Sequence, residues 1–355
     1  TDYTLPTITI AAGSLTGTAT FTPVDDTFYE TSQAGVAEIA TLDIASVTVG
    51  TENGSQSVSI SITERALNSG TQLSYNLINA EFRRASTEFS NFNASTATSV
   101  QNPLERINAH KAFGYGLDGS GETVMVMDSC MNQTHPDLQN PTISAYGNVT
   151  TCNGGDYHGV TVAGVIAADV DNGLLVGVAP GVDLVHAEFS NLTNTGQVDS
   201  AFAADKWAEA TNYARSNNII VQNNSWGPSD TSITALQEDI TNMGISAVEA
   251  IATDWNNSFG PASDGAGSSV QAYVNALNNY QEVGVVVFAL SNTDGLDDAD
   301  VIAALPVLFS ELSEAWITAV NVEIQGTTGS EVYQRVSAPC GQIAAYCLGA
   351  DAWQI

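Results

Sequence analysis

The pattern of apolar and polar positions divides the chain into three stretches. Up to about residue 64 there is no helical periodicity. Thr7-Ile8-Thr9-Ile10, Gly17 to Thr22, Ala37 to Asp43 and Ser57-Val58-Ser59-Ile60-Ser61-Ile62 alternate with a period of two between Gly- and Asn-containing turns. Alternation of this kind predicts short strands of an all-β sandwich. Between residues 65 and 103 the pattern weakens. Ser, Thr and Asn dominate Ser86 to Asn102, which reads as a connector. From Leu104 to the last residue, helical runs and continuous apolar runs follow one another.

That third stretch opens with Leu104, Ile107, Ala112 and Phe113 at helical spacing, predicting a helix to Gly116. Thr123-Val124-Met125-Val126-Met127 follows the Asp118-Gly119-Ser120-Gly121 turn and reads as a buried strand. It stops abruptly at Asp128-Ser129. A carboxylate at the end of such a strand lies at the carboxyl edge of a sheet, where open α/β folds bind their ligands. His158-Gly159 leads into Val160 to Ala168, small and apolar on nearly every side, as in a buried helix. Asp183 to Phe189, Ile219 to Gly227, Val283 to Ala289 and Trp316 to Val320 read as further strands, the second of them running into a polar edge. Gln197 to Asn217 reads as an amphipathic helix through Phe202, Trp207, Ala210 and Tyr213. Ala235 to Glu282 reads as helical with a Gly/Ser-rich break at Gly260 to Ser269, an insertion without an assigned role.

Several of these segments together resemble the subtilisin-like serine proteases, the subtilases of S8 type. Asp128-Ser129 before His135-Pro136-Asp137-Leu138, His158-Gly159 before Val162-Ala163-Gly164, and then Gly177-Val178-Ala179-Pro180 occur in the family's order. The resemblance covers about residues 104–355. It implies a mostly parallel sheet flanked by helices, here preceded by a partial sandwich. It also implies peptide-bond hydrolysis by an Asp/His/Ser triad, with a polypeptide as substrate. Asp128 would orient the imidazole and His158 would act as base. Asn292, at the end of a strand, would donate to the oxyanion. Ser225-Trp226-Gly227 would pair with substrate as an added strand. No cofactor takes part in that chemistry, but a structural calcium is implied at Asp137 and Asp171. Surface charge accounts for these two acids equally well. His110, His135 and His186 read as structural.

Two finer resemblances concern the ends of the chain. Val24-Asp25-Asp26-Thr27-Phe28-Tyr29-Glu30 resembles the acidic corner of Calx-β-type repeats, so Asp25, Asp26 and Glu30 are either calcium ligands or a solvated turn. Ala338-Pro339-Cys340-Gly341 to Cys347-Leu348-Gly349-Ala350 resembles the cysteine-bridged segment of autotransporter-type secreted subtilases. Cys130/Cys152 and Cys340/Cys347 are sequence-local pairs suited to disulfides in an exported, extracellular or cell-surface protein; a metal site is the alternative. The four departures from the family pattern are Cys130 for Gly, Thr161 for His, Ser291 for Gly, and Asp351-Ala352 for Pro-Gly. The signature Gly-Thr-Ser-x-Ala-x-Pro occurs nowhere in the chain. The expectation is therefore a fragment or processed chain without its nucleophile, inactive alone and completed by a separate C-terminal polypeptide. The rival expectation is an inactive structural or adhesive surface protein, its sandwich completed by a neighbouring subunit.

Charge removes two classes of partner. The chain carries 39 acidic against 8 basic residues, a net charge of -31. Nucleic acid and anionic membrane surfaces are disfavoured, because both are bound through positive charge. No apolar run reaches membrane-spanning length, so no membrane insertion by this chain is expected.

Overall fold

The structure, a computed structural model, describes residues 3–4, 22–23, 38–43, 57–62, 75–91, 102–132, 134–139, 141–147, 152, 157–170, 174–189, 204–227, 231–259, 267–293, 295–327 and 330–351. The chain forms two compact units. The first comprises Thr1–Ala80 and Gly114–Gly116, the second Glu81–Phe113 and Leu117–Ile355. In the first, β1 (Tyr3–Thr4) pairs antiparallel with β2 (Thr22–Pro23), and β3 (Glu38–Asp43) with β4 (Ser57–Ile62). The strand expected at Thr7 to Ile10 lies outside the described residues, as do Asp25, Asp26 and Glu30. The stretch read as a connector contains α1 (Leu77–Arg84) and α2 (Thr87–Asn91).

The single helix expected from Leu104 is two: α3 (Pro103–Arg106) and α4 (Ala109–Gly114). Asn102 caps the first by accepting the Leu104 N–H at 2.8 Å, and Pro103 stands in the first turn, where no N–H is needed. The break is at Asn108, whose φ of 59° is left-handed and cannot continue a helix.

In chain order the second unit continues with β5 (Thr123–Asp128), β6 (Ile143–Tyr146), α5 (His158–Ala167), β7 (Asp183–Glu188), α6 (Ala204–Ser216) and β8 (Val221–Asn224). It goes on through α7 (Ile233–Met243), α8 (Ala247–Phe259), α9 (Ser268–Tyr280), β9 (Val285–Ala289), α10 (Leu305–Leu308), β10 (Trp316–Thr327), β11 (Ser330–Arg335) and β12 (Cys347–Asp351). Among the described residues these strands form one eight-stranded sheet in the order β11-β10-β9-β8-β5-β7-β6, with β12 also beside β10. Every pairing is parallel except β10 with β11. This is the mostly parallel, helix-flanked architecture that the family resemblance implies.

Because side chains alternate along a strand, β5 feeds two cores at once. Val124 and Val126 pack with Val160, Ala163 and Ala167 of α5 and with Leu184 of β7. Met125 and Met127 pack on the opposite face with Val185, Ala187, Trp207 of α6 and Tyr273 and Leu277 of α9. That second core corrects the view of residues 235–282 as an insertion. Helix α9 connects the parallel neighbours β8 and β9, and Tyr273, Val274, Leu277 and Tyr280 are fully buried. A parallel pair needs such a crossover, so α9 belongs to the fold itself.

Trp207 anchors this face. It lies 4.6 Å from Trp226, 5.3 Å from Trp255 and 5.6 Å from Tyr273 between ring centroids, and its indole N–H donates to Phe189 O at 3.0 Å. Trp207→Ala is expected to cost about 3–5 kcal/mol in urea unfolding, through lost contacts and a cavity. The Tyr273 hydroxyl is buried and meets no partner among the described residues. Tyr273→Phe should therefore leave unfolding free energy unchanged or raise it by up to about 1 kcal/mol.

Candidate active site

Strand parity decides where the chemistry sits. Asp128 is in phase with Val124 and Val126, so its carboxylate leaves the sheet on the face covered by α5. The first residue of α5 is His158. The two meet: Asp128 Oδ1 is 2.6 Å from His158 Nδ1, with Asp128 1% and the His158 side chain 55% exposed. A buried carboxylate thus holds one ring nitrogen of an imidazole that is otherwise open to solvent. Such a pairing fixes the ring's orientation and stabilises its protonated form, the arrangement a general base needs.

The loop after Asp128 is fastened on several sides. Ser129 N–H donates to Asp128 Oδ1 at 2.7 Å, and Ser129 Oγ accepts the Gly159 N–H at 3.1 Å. A Cβ at Gly159 would stand 2.6 Å from both the Ser129 and Cys130 carbonyl oxygens, so only glycine permits this approach. Cys130 is bridged to Cys152, which ties the loop to the segment entering α5, and Cys340 is bridged to Cys347.

β8, beside β5, and β9, next beyond it, bring two further candidates to the same edge. Ser225-Trp226-Gly227 follows β8, and Asn292 follows β9; both strands run parallel to β5. Asn292 is exposed, whereas Ser291 beside it is pinned. Its N–H donates to Asp300 Oδ1 at 2.7 Å, and its carbonyl accepts the Ala338 N–H at 2.9 Å. A Cβ on Gly227 would stand 2.7 Å from Ile302 Cγ2 and 3.8 Å from Asp300 Oδ2. The segment around Asp300 therefore lies against both Gly227 and the turn carrying Asn292. Trp226 is half-buried, stacked on Phe189 at 5.0 Å and 7°.

Asp137 is buried. Its Oδ1 accepts the Leu174 N–H at 3.1 Å, and its carbonyl accepts the Asp169 N–H at 2.8 Å. Asp171 lies outside the described residues. Among the described residues, no group of three or more His, Cys, Asp or Glu side chains is disposed to hold a metal ion. His135 caps the short turn at Pro136–Leu138, its Nδ1 accepting the Asp137 N–H at 3.2 Å. Sequence reasoning quoted Ser129 only as part of a family block, with no role of its own, and did not single out Asp300, since an Asp in an acidic loop carries no signal.

Fold and site together define an α/β domain with an Asp–His pair at the carboxyl edge of a mostly parallel sheet. The subtilase family profile matches residues 119–346, and the chain belongs to that family. Subtilisin Savinase of Lederbergia lenta is 31% identical over 169 residues, which are 47% of this chain and 60% of that protein. The major intracellular serine protease of Bacillus subtilis is 32% identical over 168 residues, 44% of this chain and 50% of that protein. The alignments thus span 60% or less of these relatives' length. Among solved structures, Sphericase superimposes with a TM-score of 0.39 at 20% identity over 71% of this chain and 64% of that one, a likeness too distant to carry a conclusion.

Two outcomes follow from this geometry. Gly159→Ala, which drives a methyl group into two carbonyls, is expected to lower unfolding free energy by about 1–3 kcal/mol. A calorimetric scan showing no loss would contradict the packing described. Burial pushes the Asp300 carboxyl up to about 6, against the pull of the Ser291 and Ala303 N–H groups. A raised value in the folded state means that stability from this group is full below the ordinary carboxyl range and lost as pH climbs through about 6. Asp300→Asn should therefore gain on the parent chain by about 1–3 kcal/mol as pH goes from about 4 to about 7. A stability difference independent of pH would refute this.

Proposed function

We propose that this chain supplies the acid–base half of an exported subtilisin-like serine endopeptidase, whose nucleophilic Ser is carried on polypeptide outside these residues. The single observation supporting this reading is the 2.6 Å contact between the buried Asp128 and the exposed His158 in a chain of the subtilase family. His158 takes the proton of the Ser hydroxyl through Nε2, while Asp128 holds Nδ1–H and stabilises the imidazolium. The Asn292 amide donates to the oxyanion of the tetrahedral intermediate. A peptide lies along Ser225-Trp226-Gly227 as an added strand.

Two bridged cysteine pairs favour an oxidising exterior, and no helix among the described residues is long and apolar enough to cross a membrane. Under the same proposal residues 1–64 are part of a Calx-β-type sandwich, residues 65–103 a connector, and the Cys340–Cys347 segment that of an autotransporter-type subtilase. A structural calcium, if bound, would draw on Asp137 and Asp171 and, in the sandwich, on Asp25, Asp26 and Glu30.

The test is covalent. Joined to a downstream segment bearing the family's Ser motif, in cis or in trans, the chain is expected to react with a fluorophosphonate probe. His158→Ala and Asp128→Asn should each slow labelling by roughly 10⁴-fold. Absence of labelling from a folded assembly containing the Ser would overturn the enzyme reading.

A further inference from the structure

The chain has four histidines, His110, His135, His158 and His186. The last has no part in the chemistry so far described. It is fully buried in β7, in register with Val126 of β5, and in phase with Leu184, so its ring lies on the face that α5 covers. His186 Nε2 stands 2.8 Å from the carbonyl oxygen of Ser129. A carbonyl can only accept, so Nε2 carries the proton and Nδ1 does not. That Nδ1 is buried and meets no partner among the described residues. Burial also holds the ring below the ordinary histidine range, in the neutral form this tautomer requires. The charged groups facing it are Asp128 of β5 and Glu188 of β7, and α5 adds only His158.

We propose that His186 is a positioning residue for the Asp128–His158 pair, acting through the backbone of Ser129. Ser129 touches both partners: its N–H reaches Asp128 Oδ1, and its Oγ receives the N–H of Gly159, next to His158. Its third polar group, the carbonyl, is the one His186 holds. The N–H and the carbonyl of Ser129 belong to successive peptide units hinged at its Cα, from which Oγ also projects. Holding the carbonyl therefore fixes the ψ angle of Ser129 and restrains the Cα that carries both contacts. An aliphatic side chain would fill this buried place without desolvating an imidazole, and it would lack the donor. The orphaned Nδ1 indicates that the ring is retained for what Nε2 does. The catalytic consequence rests on the function proposed above, but the coupling can be observed without catalysis.

The experiment is NMR on the full chain with ¹⁵N-labelled histidines, following ring tautomers, the downfield Nδ1–H of His158 and its titration. In the parent chain His186 is expected as the Nε2–H tautomer, and an Nδ1–H tautomer overturns the proposal. His186→Leu removes the donor. His186→Gln keeps an amide N–H near the position of Nε2, and His186→Asn carries the same amide too short to reach Ser129. Leu and Asn should abolish the His158 Nδ1–H signal and lower its titration midpoint by about half a pH unit or more, since the carboxylate no longer supports the imidazolium. Gln should retain both. Should Leu fail to fold, Gln against Asn decides, because both bury an amide and differ in reach. The proposal falls if folded Leu and Asn variants keep the His158 signal and midpoint, or if folded Gln loses them. A parent chain without the downfield proton overturns the Asp–His pairing itself, and this proposal with it, an outcome distinct from variants that leave the parent's signal unmoved.

Discussion

The structure depends on β5 being buried on both faces while ending in a charge. Four consecutive apolar side chains, Val124 to Met127, divide evenly between two cores. That double burial fixes the register absolutely, because a slip of one residue would exchange the two faces. Asp128 inherits the fixed phase and must emerge toward α5. The energetic risk is a carboxylate 1% exposed, and the structure meets it with His158 Nδ1 and the Ser129 N–H on one oxygen. Packing thus dictates where the acid points, and the acid dictates what must begin α5.

The same economy governs the other strand ends. β8 and β9 run parallel to β5 and deliver Ser225-Trp226-Gly227 and Asn292 to one edge. Loops that would otherwise be mobile are fixed there by groups with no reactive role. Asp300 grips the Ser291 N–H, Ile302 closes on Gly227, and Cys130–Cys152 secures the loop beyond Asp128. The candidate site groups are few, and the surrounding residues restrain the backbone on which they ride.

Much of this was legible in the sequence. A four-residue apolar run halted by Asp128 and a small-residue helix headed by His158 are local patterns, and their order within the family blocks supplied the pairing. The sequence pattern hid what depends on tertiary placement. Helical periodicity across 235–282 could not separate α9, a crossover helix of the main core, from α7 and α8. The break at Asn108 turns on one backbone angle. His186 looked like any histidine in an apolar strand. Only the parity it shares with Asp128 across two neighbouring strands, visible once their register is known, places its ring against the Ser129 carbonyl.

Trp226 stands at the end of β8 with Phe189 stacked on it, Trp207 4.6 Å away and Phe288 6.0 Å away. An indole so placed has its emission governed by neighbours at fixed distances, and Trp207 and Trp255 extend the same array inward. Any movement of this ring would change its contacts with Phe189 and Trp207, and its emission with them. The chain's own fluorescence is thus sensitive to the placement of the residue that ends β8.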